Sequence, residues 1–172
     1  MDADQDDWLP LFPLNTVLFP EGLLPLRVFE ARYMDMTRDC LKRRRPFGVC
    51  LIRDGREVGA PAAHEVVGCL ASIVECDMQQ LGVLHLLARG GVRFRVLETR
   101  VNNQGLISAR TEAIPAEQDA AIPEAFSGCV KLLKLVIAER GEEVFLQPHR
   151  LDSASWVSHL LSEILPMPLA ER

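Results

Sequence analysis

LPLFPLNTVLFPEGLLPLRVFEAR, residues Leu9–Arg32, is the stretch on which the fold turns. It packs four prolines and one glycine among large apolar residues in twenty-four positions. Pro10, Pro13, Pro20 and Pro25 each remove a backbone donor and fix φ, so no helix runs through it. The apolar pieces between them are two to four residues long, which suits edge-type strands and falls far short of a membrane span. Asn15-Thr16 and Pro20-Glu21-Gly22 supply turn chemistry. The stretch reads as two or three short extended pieces folded onto one another and leading into a helix. It holds no reactive side chain, which points to a scaffold.

Beyond it, Phe29–Arg44 reads as a helix, because Phe29, Tyr33, Met36 and Cys40 fall on one face of a 3.6-residue period. Glu30 lies near its start and Lys42, Arg43 and Arg44 near its end, as the helix dipole favours. Phe47–Ile52 is a short apolar run after Pro46, hence a buried strand. Val66–Cys76, bent at Gly68, and Val83–Ala88 form a hairpin across Asp77–Gly82. Arg89-Gly90-Gly91 reads as a break before Val92–Thr99, where Val92, Phe94 and Val96 alternate with Arg93, Arg95 and Leu97. Asn102–Gly105 then turns the chain into Leu106–Ala113. Over Phe47–Ala113 six or so short strands, with tight antiparallel connections after the first loop, favour an α+β fold whose sheet is a twisted, partly closed barrel, with one helix inserted early.

The pattern changes after Ile114-Pro115. Residues 116–122 read as a linker, and a helix near 123–140 carries the stripe Phe126, Val130, Leu133 and Ile137, capped by Gly141. Asp152 or Ser153 caps a second helix near 152–165 with Trp156, Leu160 and Ile164 on one face. The predicted division is an acidic tail at 1–8, a barrel at 9–115 containing helix 29–44, and a helical subdomain at 116–172. Faces this apolar must pack on each other, on the barrel, or on a surface outside the chain. They leave a homo-oligomer open.

Composition narrows the function classes. A chain of 172 residues with 48% hydrophobic content can bury the core of one compact domain, with or without an appended subdomain. A net charge of -5 argues against a phosphate-backbone footprint, so nucleic acid is not the expected partner. The start MDADQDDW is the reverse of a basic signal-peptide start, and no apolar run is long enough to span a bilayer. A cytoplasmic protein without membrane contact is expected. The scattered Cys40, Cys50, Cys69, Cys76 and Cys129 fit buried, reduced thiols.

Searches for chemistry return little. His64, His85, His149 and His159 occur singly, and Cys69-x6-Cys76 has the wrong spacing for a zinc site, so no metal is expected. Lys42–Arg45 (KRRR) is either an anion patch or a solvated helix end, and the acidic balance favours the latter. Arg89, Arg93 and Arg95 flank two glycines that read as a backbone bend or bulge, and the arginines read as structural, with partners among the acidic residues. No serine sits in a G-x-S-x-G elbow, and there is no G-x-x-x-x-G-K-[ST] phosphate loop.

Four runs in order resemble a known family: LPLFPLNTVLFPEGLLPLRVFEARYMDM, FGVCLI, HEVVGCLASIVE and LLARGGVRFRVLE. Together they resemble the LON domain, the substrate-recognition domain at the front of ATP-dependent Lon proteases, found also in cereblon and in free-standing bacterial proteins. The signature comprises Pro13, Pro20, Gly22 and Pro25, then Phe29-Glu30-x-Arg32-Tyr33, Gly68, and Arg89-Gly90-x-x-Arg93-Phe94. The resemblance implies a pseudo-barrel similar to PUA domains followed by a small helical bundle. It implies a non-enzymatic module that binds an unfolded or degron-bearing polypeptide, or another protein, without a cofactor. The three lysines, Lys42, Lys131 and Lys134, lie outside the context of a Lon Ser-Lys dyad, so neither peptidase nor ATPase activity is expected. Peptide capture calls for exposed apolar loop groups. Phe19 and Leu23 about the Pro20–Gly22 turn, and Met78 and Leu81 in the hairpin turn, are the candidates, with core packing as the competing account. The alternatives are an RNA-binding PUA-like module using KRRR and a small-ligand or enzyme site assembled only in the fold.

Overall fold

A computed structural model describes residues 8–172; the acidic tail expected before Trp8 lies outside the described residues. Trp8 itself, assigned to that tail, is buried beneath the Arg100 and Arg110 guanidiniums, 4.2 and 5.1 Å from its ring. The elements are β1 (Leu9–Leu14), β2 (Leu23–Val28), α1 (Ala31–Arg43), β3 (Phe47–Asp54), β4 (Ala63–Gln80), β5 (Val83–Val101), β6 (Ile107–Ala113), α2 (Ser127–Arg140) and α3 (Ala154–Ile164). Single 3-10 turns stand at Glu124–Phe126, Glu142–Val144 and Leu169–Glu171.

The strands make one sheet in the order β2-β5-β4-β3-β1-β6, and β5 pairs again with β6. β5, β4, β3, β1 and β6 therefore close into a ring. β2 shares β6's edge of β5: β2 pairs with Leu84–Arg89, and β6 with Phe94–Val101. The six-stranded α+β pseudo-barrel is as expected, but three local readings are corrected. β1 and β2 do not fold onto one another; β1 pairs with β3 and β6, and its pairing with β3 is parallel. The connection from β1 to β3 runs through β2 and α1, so the topology is not wholly antiparallel. β5 also runs unbroken through Arg89-Gly90-Gly91, with a register shift opposite Cys69–Ala71 in place of a break. Finally, α1 begins at Ala31 and leaves Phe29 outside the helix and exposed.

Six of the signature residues, Glu30, Arg32, Tyr33, Gly68, Gly90 and Phe94, have a clear packing reason. The Arg32 side chain is buried, donates to the Gly105 carbonyl at 2.9 Å, and pairs with Glu30 at 3.1 Å. It thereby ties the start of α1 to the β5–β6 turn, so neither partner charge is left buried alone. The Tyr33 ring stacks on Phe12 at 4.0 Å, fixing α1 against β1. Phe94 fills the ring interior with Leu11, Cys50, Ile107 and Ala109, and its ring crosses Gly68, where a Cβ would stand 2.5 Å from it.

Gly90 holds the opening turn. The Glu21 amide donates to the Gly90 carbonyl at 2.9 Å, and the Gly90 amide donates to the Gly22 carbonyl at 2.8 Å. A Cβ on Gly90 would lie 1.9 Å from the Phe19 carbonyl oxygen, so only glycine admits this approach.

A separate apolar cluster joins Leu133 and Ile137 of α2, Phe145, and Trp156, Val157, Leu160 and Leu161 of α3. Phe126, expected in the stripe, precedes α2 and is exposed. Ser153 rather than Asp152 caps α3, its hydroxyl accepting from the Trp156 amide at 3.1 Å. Among the cysteines, burial pushes the Cys40 and Cys69 thiols up to about 11 and Cys50 to about 12. Cys76 departs from the buried expectation and is exposed, and Cys129 is half-buried.

Two outcomes test this packing. Gly90→Ala should lower the urea midpoint by the equivalent of about 2 kcal/mol or more, as forced overpacking does, whereas Gly128→Ala, where a Cβ meets nothing within 4 Å, should be neutral or stabilising. Equal midpoints would contradict the clamp. A thiol reagent at neutral pH should label Cys76 first and Cys129 slowly, leaving Cys40, Cys50 and Cys69 protected until unfolding, which mass spectrometry of the labelled peptides reads directly.

Candidate functional site: a groove beside strand β2

The predicted peptide-binding residues fall in different places. Phe19 is buried, and its ring stacks on His159 of α3 at 5.4 Å between centroids. The Pro20–Gly22 turn is covered by the chain's own helical part. The Arg150 guanidinium reaches Glu21 at 3.1 Å and Asp119 at 2.8 Å, while the Ser153 hydroxyl donates to Asp119 at 2.7 Å. Arg93 of β5 pairs with Glu117 at 2.8 Å on the same seam. The turn expected to face a peptide therefore faces α3.

The seam is also electrostatically particular. The hydrogen bond from Ser153 is the largest influence holding the Asp119 carboxyl below its ordinary value. Burial pushes Glu163 upward, opposed by Arg172, and burial pushes His159 downward against the attraction of Glu117. The Glu163 carboxylate lies against Gly22, 3.5 Å from where a Cβ would stand.

Leu23 is half-buried at the Arg89 end of β2. Met78 and Leu81 are exposed on the β4–β5 hairpin, Leu81 at 94%. Because β2 is antiparallel to β5, Val28 rather than Leu23 stands opposite Leu84 near that hairpin's tip. The structure does not bring Leu23 together with Met78 and Leu81.

What it does assemble is a groove of about 430 Å³ between β1 and β2. Phe12 and Leu14 line it from β1, Leu24, Leu26 and Val28 from β2, and Phe29 and Val58 stand at its rim, each 53% exposed. β2 ends the sheet order, so its edge away from β5 has no strand partner among the described residues. Glu30 and Glu57 fix the rim loops: Glu57 accepts from the Asn15 amide at 2.6 Å, and Glu30 from the Gly59 amide at 3.2 Å. Sequence reasoning missed Phe29, which the helical period claimed, and Val58, which stood in a loop with no pattern.

The rival sites are weaker. Arg43 and Arg45 of KRRR both reach Asp39, Arg43 at 2.7 Å, and Arg44 caps α1 with φ of 52°. Arg43 and Arg45 are thus tied into local ion pairs. A cavity of about 340 Å³ between Leu18, Phe19, Val67 and Arg172 has a mixed lining, and the Cys69 thiol on it is pushed up to about 11 by burial. Among the described residues, no group of three or more His, Cys, Asp or Glu is placed to hold a metal ion, and no helix is long and apolar enough to cross a membrane.

A ring-closed small barrel with an extra edge strand, an early helix and a docked helical pair defines the class. Residues 8–172 match the ATP-dependent protease La (LON) substrate-binding domain family, and the chain belongs to it. It is 33% identical over 149 residues to a Lon protease of Paraburkholderia phytofirmans, covering 84% of this chain and 18% of that protein. Protein cereblon of Gallus gallus is 30% identical over 118 residues, covering 66% of this chain and 25% of that protein. The chain thus spans less than a third of the length of either relative. A crystal structure of a Lon N-terminal domain protein from Xanthomonas campestris superposes with a TM-score of 0.78 at 34% identity, over 96% of this chain and 86% of that one. The N-terminal domain of a Mycobacterium avium complex Lon protease shares the fold, with a TM-score of 0.65 at 13% identity, over 95% of this chain and 86% of that one.

The seam makes a pH prediction. A carboxyl whose folded pKa exceeds its unfolded value binds its proton more tightly when folded, so stability falls as pH rises between the two values. Glu163→Gln removes the buried charge. It should therefore raise the urea midpoint near pH 7 and lose that advantage below the ordinary value of 4.5. An advantage that stays constant across this range would contradict the burial of Glu163 on the seam.

Proposed function

We propose that this chain is a non-enzymatic polypeptide-recognition module that holds an extended apolar segment along the open edge of β2. The observation that carries this is the coincidence of an unpaired strand edge with an apolar groove rimmed by exposed Phe29 and Val58. An open edge offers alternate backbone donors and acceptors to an incoming strand, and the groove beside it takes the side chains. Pro25 withholds one donor from the strand, which weakens indiscriminate edge pairing and leaves side-chain fit to select the ligand.

Family membership supports the substrate class, since the matched family is described by substrate binding. Unfolded or degron-bearing polypeptide exposes the apolar runs that such a groove accommodates. Exposed Met78 and Leu81 on the hairpin offer a second apolar contact beyond the Val28 end of the groove, and Leu23 flanks the other end. Phe19, buried on α3, has no direct part. Catalysis is not part of the proposal, because the chain contains neither a phosphate loop nor a lysine in a Ser-Lys dyad context. We place the activity in the cytoplasm, where nascent and damaged chains present these segments.

A labelled, permanently unfolded model protein followed by fluorescence anisotropy should bind saturably. Phe29→Asp and Val58→Asp should each weaken it at least about tenfold, as loss of a central apolar anchor does. Both side chains are exposed, so the variants should keep the wild-type melting temperature. Absence of saturable binding up to millimolar concentration, or affinity unchanged in both variants, would overturn the proposal.

A further inference from the structure

α2 has two faces that contradict one another. Leu133 and Ile137 face the helical cluster and are buried. On the opposite side, Leu135 is 69% exposed and Leu132 43% exposed, flanked by exposed Lys131, Ala138 and Glu139. A helix apolar on both sides is ordinarily covered on both. α2 packs on α3 and the adjoining 3-10 turns, leaving this outer side free. Among the described residues, neither Lys131 nor Glu139 has an ion pair.

The order of charges along that face identifies what fits it. Lys131 and Glu139 lie four residues before and four residues after Leu135. A second α2 laid antiparallel, with its Leu135 on this Leu135, brings each Lys131 level with the other copy's Glu139. It also sets each Leu132 level with the small Ala138. The contact is isologous, so every favourable pair occurs twice. A parallel arrangement would instead oppose lysine to lysine and glutamate to glutamate, which is repulsive.

We propose that the outer face of α2 is a self-association surface, on which a second copy of this chain packs its own α2 antiparallel about Leu135. The chemistry is an apolar strip of Leu132, Leu135 and Ala138 closed at each end by a Lys131–Glu139 pair. A single face of a 14-residue helix buries less than the roughly 1,200 Å² typical of stable complexes, so the dimer is weak and concentration-dependent. The inference does not depend on the peptide groove, which lies on the barrel. Leu135 stands clear of the proposed ligand.

Sedimentation velocity on the full chain, from micromolar to millimolar concentration at low salt, tests it. The wild type should dimerise reversibly. Lys131→Glu and Glu139→Lys should each weaken self-association at least about tenfold, because each reversal places like charges level with one another twice. An equimolar mixture of these two variants should dimerise again, since each then faces its opposite. Circular dichroism confirms that α2 persists in both. A wild type monomeric at millimolar concentration, reversals without effect, or a mixture no stronger than its components would each overturn the proposal. Unfolded-polypeptide binding by monomeric Lys131→Glu separates the two surfaces: it should be unchanged, and its loss would place α2 in the ligand site and overturn the self-association role.

Discussion

Gly90 lies so close to the opening turn that a Cβ there would stand 1.9 Å from the Phe19 carbonyl oxygen. Two reciprocal backbone hydrogen bonds, Glu21 to Gly90 and Gly90 to Gly22, hold that approach. Much else depends on it. The clamp sets where β2 begins, and hence its register on β5 from Leu23 opposite Arg89 to Val28 opposite Leu84. It holds Glu21 with φ of 64°, a left-handed conformation that a non-glycine residue adopts at a cost, and so points the Glu21 carboxylate at Arg150. Phe19, held on the same turn, presents its ring to His159. One close backbone approach thus fixes both the strand that borders the groove and the seam that seats the helical part.

The seam packs the opening turn against the helical part of the chain. Arg150 joins Glu21 of the barrel to Asp119 of the linker, Asp119 accepts from the cap of α3, and that cap accepts from Trp156 in the helical cluster. Each link is a single hydrogen bond or a partly exposed, solvent-screened ion pair. Their effect comes from continuity, one chain of contacts running from Glu21 through Arg150, Asp119 and Ser153 to Trp156. With that turn covered, the apolar surface that stays open is displaced along β2 to its outer edge, where Phe29 and Val58 stand over Leu24 and Leu26.

Much of the fold was legible from residue pattern. Proline spacing excluded a helix from Leu9 to Val28, and the 3.6 period placed Tyr33, Met36 and Cys40 on the buried side of α1. The family resemblance supplied the barrel class. Long-range pairing was not legible: nothing local to β1 says that its partner is β3 in parallel rather than β2, because β2 and α1 must first be folded out of the way. Arg89-Gly90-Gly91 was half legible: the bulge its glycines suggested is there as a register shift, but the strand does not break. Glycine signals a break when only the strand itself is considered, but here it admits a backbone from elsewhere in the chain. The rim of the proposed groove was not legible. Phe29 fits the helical period by number and is excluded from the helix by the position of Glu30 at its cap. Exposure, the property that separates a binding phenylalanine from a core one, belongs to the packed molecule.

The most direct measurement is amide hydrogen exchange, resolved by NMR, of the chain with and without a saturating unfolded polypeptide. An added strand on β2 should slow exchange at alternate amides within Leu23–Val28, skipping Pro25, and shift the resonances of Phe29 and Val58, while leaving Glu21, Gly22 and Gly90 as they were. Protection or shifts confined to the Pro20–Gly22 turn, to KRRR or to the outer face of α2, with β2 unchanged, would contradict it.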